Sequence, residues 1–314
     1  MLNEIALKLF TIHKLKGVGP ATLKKLLAFP DFSTATLDEL ASRDNKLAKA
    51  LESHCAYADA TRSVEIDIDS AVKHKARIIS LLDVDYPDLL RMTPDCPPFL
   101  YLRGSLAKSP AKSIAIIGTR NPTAHGVIIA ERITDFFVDN VWSIVSGLAI
   151  GCDTIAHERA LMKGGHTIAV LAHGLQTIAP KQNEKLASRI LDNGGALLTE
   201  YAFGVDPIPP LFVKRDRIQA GLSRGVVMLQ SDIDGGSMHA SRASVEYGRI
   251  LGVPYPTVKD DDNKEKKIGA NILLCNGTQE QKCTLLKCSE DKLSLIQPIK
   301  GKEGYSNFEL RLLS

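Results

Sequence analysis

From residue 113 onward, short runs of consecutive apolar residues alternate with stretches of helical spacing. Ile114, Ala115, Ile116 and Ile117 are apolar at successive positions, as in a parallel strand covered on both faces. Similar runs predict strands at 113–117, 142–146, 167–171, 196–199, 225–230 and 253–258, with helices between them, the first over His125 to Phe137. Strands and helices in this alternation build a mostly parallel sheet with right-handed crossovers and helices on both faces, an α/β, Rossmann-like fold. The densely charged run Lys259 to Lys267 reads as a solvated loop, and Ile268 to Leu274 returns to an apolar pattern.

The first hundred residues follow a different pattern, helices joined by polar turns. Leu15-Lys16-Gly17-Val18-Gly19-Pro20, followed by leucines at 23, 26 and 27, resembles a helix-hairpin-helix. Such a hairpin can hold a DNA phosphate, with Lys16, Lys24 and Lys25 nearby, or can simply be a packing turn. Leu37 to Ala60 continues as helix, Ala76 to Leu82 predicts a short strand, and the prolines at 87, 97 and 98 mark an extended connector. The expected division is a small helical amino-terminal domain with its connector (1–105), a Rossmann-like domain (106–290) and a short tail (291–314).

Composition narrows the functional classes. The 314 residues are 44% hydrophobic, enough for a sizeable core, and the formal charge of +3 does not by itself announce a nucleic-acid binder. No apolar run approaches the roughly 18 residues of a membrane span, and the start lacks the order of a signal peptide, so a cytoplasmic protein is expected. Six scattered cysteines suit reduced thiols, and Cys275, Cys283 and Cys288 have no histidine beside them to suggest zinc.

Chemistry concentrates at the strand ends. Gly118-Thr119-Arg120, Ser146-Gly147, His173-Gly174, Glu200-Tyr201 and Gly235-Gly236-Ser237 all follow predicted strands, so their small residues converge on one edge of a parallel sheet. Such an edge suits an anion, held by N–H groups and by Arg120. No GxxxxGKS/T loop is present, and no GxGxxG opens the first helix. Lys181 follows the third strand. Arg215 and Arg217 precede the fifth and lie two apart, so that one can face the crevice while the other pairs with Glu200 or Asp216. Asp153 and His157 share a helix face, in a packed or capping role. Phe203, Tyr201 and Phe212 are candidates for base stacking or for core packing, and His173 and His239 are further stacking candidates.

These residues resemble the DNA-processing protein A (DprA/Smf) family. The likeness runs through IIGTRNPTAHG, IVSGLAIGCDTIAHERAL, APKQN, LLTEYAFG, FVKRDRIQAGLSRGVV, GGSMHASRASVEYGR and IGANILL, over about residues 100 to 275. The resemblance implies a non-enzymatic protein without cofactor that binds single-stranded DNA, forms a homodimer through its Rossmann domain and loads a RecA-type recombinase. It places DNA contacts at Arg120 and Lys181 and aligns its arginine-rich segment with Arg215 and Arg217; the strand-end crevice adds Gly118, Thr119, Ser146, Gly147, Gly174, Gly235, Gly236 and Ser237 as expected DNA contacts. Departures are an aspartate at 216 where the family has asparagine, Ala172 for a glycine, His239 in a less polar segment, Tyr255 after Val253-Pro254, and too little carboxyl-terminal sequence for a winged helix. An extra carboxylate at 216 weakens attraction for phosphate unless Arg215 or Arg217 neutralises it.

Two other classes compete. Gly235-Gly236-Ser237 with Glu246 is loosely similar to a segment of Rossmann enzymes that cleave nucleoside monophosphates or sense small nucleotides, although the glutamate falls too far beyond the glycines. A scaffold that has lost DNA binding is the third class, supported only by Asp216 and the mild net charge.

Overall fold

The computed structural model describes residues 2–107 and 112–314. Its strands are β1 (Ala76–Ser80), β2 (Phe99–Gly104), β3 (Ser113–Ile117), β4 (Ser143–Ser146), β5 (Thr167–Val170), β6 (Ala196–Thr199), β7 (Gly225–Met228), β8 (Ile250–Pro254) and β9 (Ile296–Ile299). They form one sheet in the order β1-β2-β6-β5-β4-β3-β7-β8-β9. The pairs β1/β2 and β2/β6 are antiparallel, and every other neighbouring pair is parallel. From β3 the chain proceeds through β4 and β5 to β6 on one side, then crosses back to β7 on the other. The switch point therefore lies between the carboxyl ends of β3 and β7, where Ile117 pairs with Met228.

The apolar runs form strands because both faces are covered. All five residues of β3 are buried, and the helix Ala124–Asp139 lays Ala130, Ile133 and Phe137 against Ile114 and Ile116. The segment read as an extended connector contains β2, whose Phe99 to Leu102 are buried and which is hydrogen-bonded on both sides. Strand β8 occupies 250–254, earlier than the expected 253–258. Gly248 at φ +69° ends the preceding helical segment, and Thr257 caps a new helix, Val258–Asp262, within the run expected to be a loop.

The sheet also draws in both ends of the chain. β9 extends β8, and the terminal helix Glu303–Leu313 buries Phe308 and Leu312 with Ile114, Ile116 and Val227. At the amino terminus, helices Glu4–Lys14, Pro20–Leu27, Leu37–Arg43, Asn45–Leu51 and Ala56–Lys73 share a core with Phe99, Tyr101, Ala169 and Leu197 of the sheet. The helix expected over 37–60 breaks at Asp44, whose side chain accepts from the N–H groups of Lys46 and Leu47. Buried Asp67 locks the junction, accepting from the Tyr101 hydroxyl at 2.5 Å and pairing with Lys14 at 2.5 Å.

Among the described residues no helix is long and apolar enough to cross a membrane. No group of three or more His, Cys, Asp or Glu there is placed to hold a metal ion, and the six cysteines are free thiols.

Candidate nucleic-acid interface

The turn after β3 is built by close backbone approach. A Cβ on Gly118 would lie 2.6 Å from the Cys152 sulfur, so only glycine fits. The Thr119 N–H donates to the Gln230 carbonyl at 2.8 Å, and the Thr119 carbonyl accepts from the Cys152 N–H at 3.1 Å. Gly151, at φ +85°, presses on the same turn, and a Cβ there would come within 2.5 Å of the Arg120 carbonyl oxygen. The turns after β3 and β4 are thus clasped together, with the Arg120 side chain exposed.

The Lys181 loop joins the same edge. Asn183 is buried and donates through Nδ2 to the Leu148 carbonyl at 2.8 Å and to Thr154 Oγ1 at 2.9 Å. Lys181 lies two residues earlier, exposed, just after a cis Ala179–Pro180 bond. Among the described residues neither Arg120 nor Lys181 closes a salt bridge. The structure therefore brings these two expected cations onto turns that each pack on the turn after β4, with their charges open to solvent.

Other expected residues turn inward. The Ser146 hydroxyl donates to the Ile116 carbonyl at 2.7 Å. The N–H of Gly147, together with that of Ala149, is taken by the Asp153 carboxylate at 3.1 and 3.2 Å. The anion in this glycine turn is therefore the protein's own. Burial pushes the Asp153 carboxyl up to about 6, against the pull of the Arg215 guanidinium and the Ala149 N–H. His157, on the same helix face, is fully buried with Nδ1 2.7 Å from Thr167 Oγ1, a packed role.

Arg215 and Arg217 are both committed internally. Arg215 is 4% exposed; its guanidinium donates to the Gly147 carbonyl at 2.7 Å, to the Val170 carbonyl and to Asp216 at 3.1 Å. It ties the ends of β4 and β5 and is closed to solvent. Arg217 pairs with Glu200 and donates to the Asp95 carbonyl at 3.0 Å. Neither arginine faces the crevice as a free charge. Asp216 accepts from Arg215 and, at 3.0 Å, from Gln219. Burial, the larger effect, holds its carboxyl above the usual range, while Arg215, Gln219 and Arg120 pull it partly back.

The remaining glycine turns also satisfy themselves. Gly174 N–H donates to the Val205 carbonyl and Gly235 N–H to the Asp232 carbonyl, each at 3.0 Å. Gly236 is exposed, and Ser237 Oγ donates to Ser231 Oγ at 2.7 Å where the helix Ser237–Glu246 begins. A cradle made of free glycine N–H groups is therefore closed at Thr119, Gly147, Gly174 and Gly235. Glu246 ends that helix, about 15 Å along its axis from the glycines, so the two are not neighbours as an enzyme of the nucleotide-cleaving type requires. Phe203 is packed, stacked on His74 with centroids 4.9 Å apart.

Sequence reasoning missed two residues that organise this edge, Gln230 and Asp260. Gln230 is 2% exposed, and its Oε1 accepts from the Thr123 N–H at 3.0 Å while its backbone carbonyl holds Thr119. Its polarity immediately after the apolar β7 was the available signal.

Comparison with known proteins agrees with this architecture. The family model described as DNA recombination-mediator protein A matches residues 77–290. DNA processing protein DprA of Streptococcus pneumoniae is 32% identical over 248 residues, covering 78% of this chain and 86% of the relative. Protein Smf of Escherichia coli is 36% identical over 172 residues, 54% of this chain and 46% of the relative; this chain thus spans under half the length of that protein and of Smf from Synechocystis, at 44%. Among solved structures, DprA from Streptococcus pneumoniae aligns with TM-score 0.66 and 26% identity, over 85% of this chain and 96% of that one. DNA processing protein A from Helicobacter pylori, described for its single-stranded DNA binding mode, aligns with TM-score 0.59 and 28% identity, over 76% and 96%. The chain belongs to the DNA recombination-mediator protein A family, the DprA/Smf proteins.

Proposed function

We propose that this chain binds single-stranded DNA without chemical turnover, laying backbone phosphates along the carboxyl edge of the sheet against Arg120 and Lys181. One observation carries the reading: two solvent-open cations stand on turns joined through Thr119, Gly151, Leu148 and Asn183, while the nearby carboxylates Asp216 and Glu200 are matched to Arg215 and Arg217. Fixed turns spare the cost of ordering backbone when a phosphate arrives, so that only the side-chain freedom of Arg120 and Lys181 is lost against the contact energy. With the N–H groups of Thr119 and three of the glycines already engaged, attraction is mainly ionic, tolerant of base sequence and sensitive to salt.

The single-stranded DNA binding of the Helicobacter pylori relative supports this substrate class. The family resemblance extends the proposal to a homodimer formed through the sheet domain that passes its strand to a RecA-type recombinase. Fluorescence anisotropy of a labelled oligothymidine tests the core of the reading. Wild type binds, and the folded Arg120→Ala, Lys181→Ala variant binds more weakly; equal binding by the two refutes it.

A further inference from the structure

Between Pro254 and the buried Ile268 the chain runs largely over the outside of the body, and Asp260 is its one fully buried side chain, at 3% exposure. Val258 is 78% exposed, and Lys259, Asp261 and Asp262 are exposed as well. A carboxylate this deep is costly without partners. Asp260 takes them from three places: Thr123 Oγ1 at 3.1 Å, His125 Nδ1 at 3.2 Å and Gln230 Nε2 at 3.3 Å. Among the described residues no lysine or arginine pairs with it. Tyr255 fixes the start of the segment, its N–H donating to the Ile299 carbonyl at 2.9 Å and its hydroxyl to Asn276 at 2.8 Å, and between Tyr255 and Ile268 the buried pin is Asp260, held by hydrogen-bond donors without a fixed cation.

The position of that pin matters. Gln230 follows β7 and Thr123 caps the helix after β3, so the carboxylate sits at the β3/β7 switch point. Gln230 also holds Thr119 through its backbone carbonyl, one residue from Arg120. Donors that converge on a carboxylate oxygen equally suit a non-bridging phosphate oxygen.

We propose that residues 255–268 form an autoinhibitory strap. Asp260 fills a phosphate position at the switch point, and a bound single strand takes that position by displacing it, engaging Thr123, His125 and Gln230. The inference rests on the single-stranded DNA reading and deepens it.

Hydrogen–deuterium exchange on the wild-type full chain, with and without saturating oligothymidine, tests it directly. Peptides within 255–268 exchange faster in the complex; unchanged or slower exchange there overturns the strap. In anisotropy, Asp260→Ala and the shape-preserving Asp260→Asn bind at least about threefold more tightly, because the strand no longer has to displace a carboxylate, while the slope of log K against log salt stays close to that of wild type, since the same phosphates are engaged. Wild-type binding with unchanged affinity in both variants overturns the strap alone. No binding by wild type or either variant overturns the DNA reading, and the strap with it.

Discussion

Replacing Arg215 by methionine separates a positioning role from a phosphate contact. The substitution strands the Gly147 and Val170 carbonyls and leaves the largely buried Asp216 without its cation. Breaking a buried pair from one side costs about 3–5 kcal/mol. Taking about 4 kcal/mol, and about 1.5 °C per kcal/mol from an unfolding entropy of about 2.1 cal/mol/K per residue over 314 residues, the melting temperature falls by about 6 °C. Adding Asp216→Asn recovers part of the loss, because the stranded carboxylate is gone. Urea and thermal unfolding measure the stability, and anisotropy below the transition measures DNA affinity. The folded variant retains affinity within about threefold and an unchanged salt slope, since Arg215 is closed to solvent. A stability loss under about 1 kcal/mol, together with a large fall in affinity and a shallower slope, would refute the reasoning and make Arg215 a phosphate ligand.

Two further outcomes follow from the same edge. Gly151→Ala forces a side chain into φ +85° and against the Arg120 carbonyl, costing about 1–2 kcal/mol or more and weakening oligonucleotide binding by shifting the Arg120 turn; unchanged affinity would separate that clasp from the placement of Arg120. Asp153 gives a pH signature. Its folded pKa of about 6 lies above the ordinary 3.8, so between these values the folded state keeps a proton that the unfolded chain releases. Stability therefore falls as pH rises from about 4 to 6 and is level above that range. Asp153→Asn removes this component in urea titrations, and an identical pH slope in the variant would contradict the assignment.

The parallel sheet was legible because β3 to β7 are short, apolar and buried on both faces, which periodicity reads directly. β2 was harder: Pro97 and Pro98 suggest a connector, and only antiparallel pairing with β1 and β6 makes Phe99–Gly104 a strand. The site divided similarly. The strand-end turns of the sequence put Arg120 and Lys181 at the sheet edge, where both stand exposed, but the inward turn of Arg215 depends on the helix Pro209–Gly221. Its spacing to the buried Ile218 and Leu222 put Arg215 on the covered face, a signal that its charge masked. The closure of the Gly147 turn by Asp153 was hinted at by a carboxylate six residues later, whereas burial of Asp260 within a charged run is a tertiary event with no local pattern.

The most direct test of DNA binding at this edge is the salt dependence of oligothymidine affinity for wild type and for the Arg120→Ala, Lys181→Ala variant. If each cation neutralises one phosphate, the variant binds more weakly and its slope of log K against log salt is shallower by about 1.4. A folded variant with wild-type affinity and wild-type slope would contradict the account.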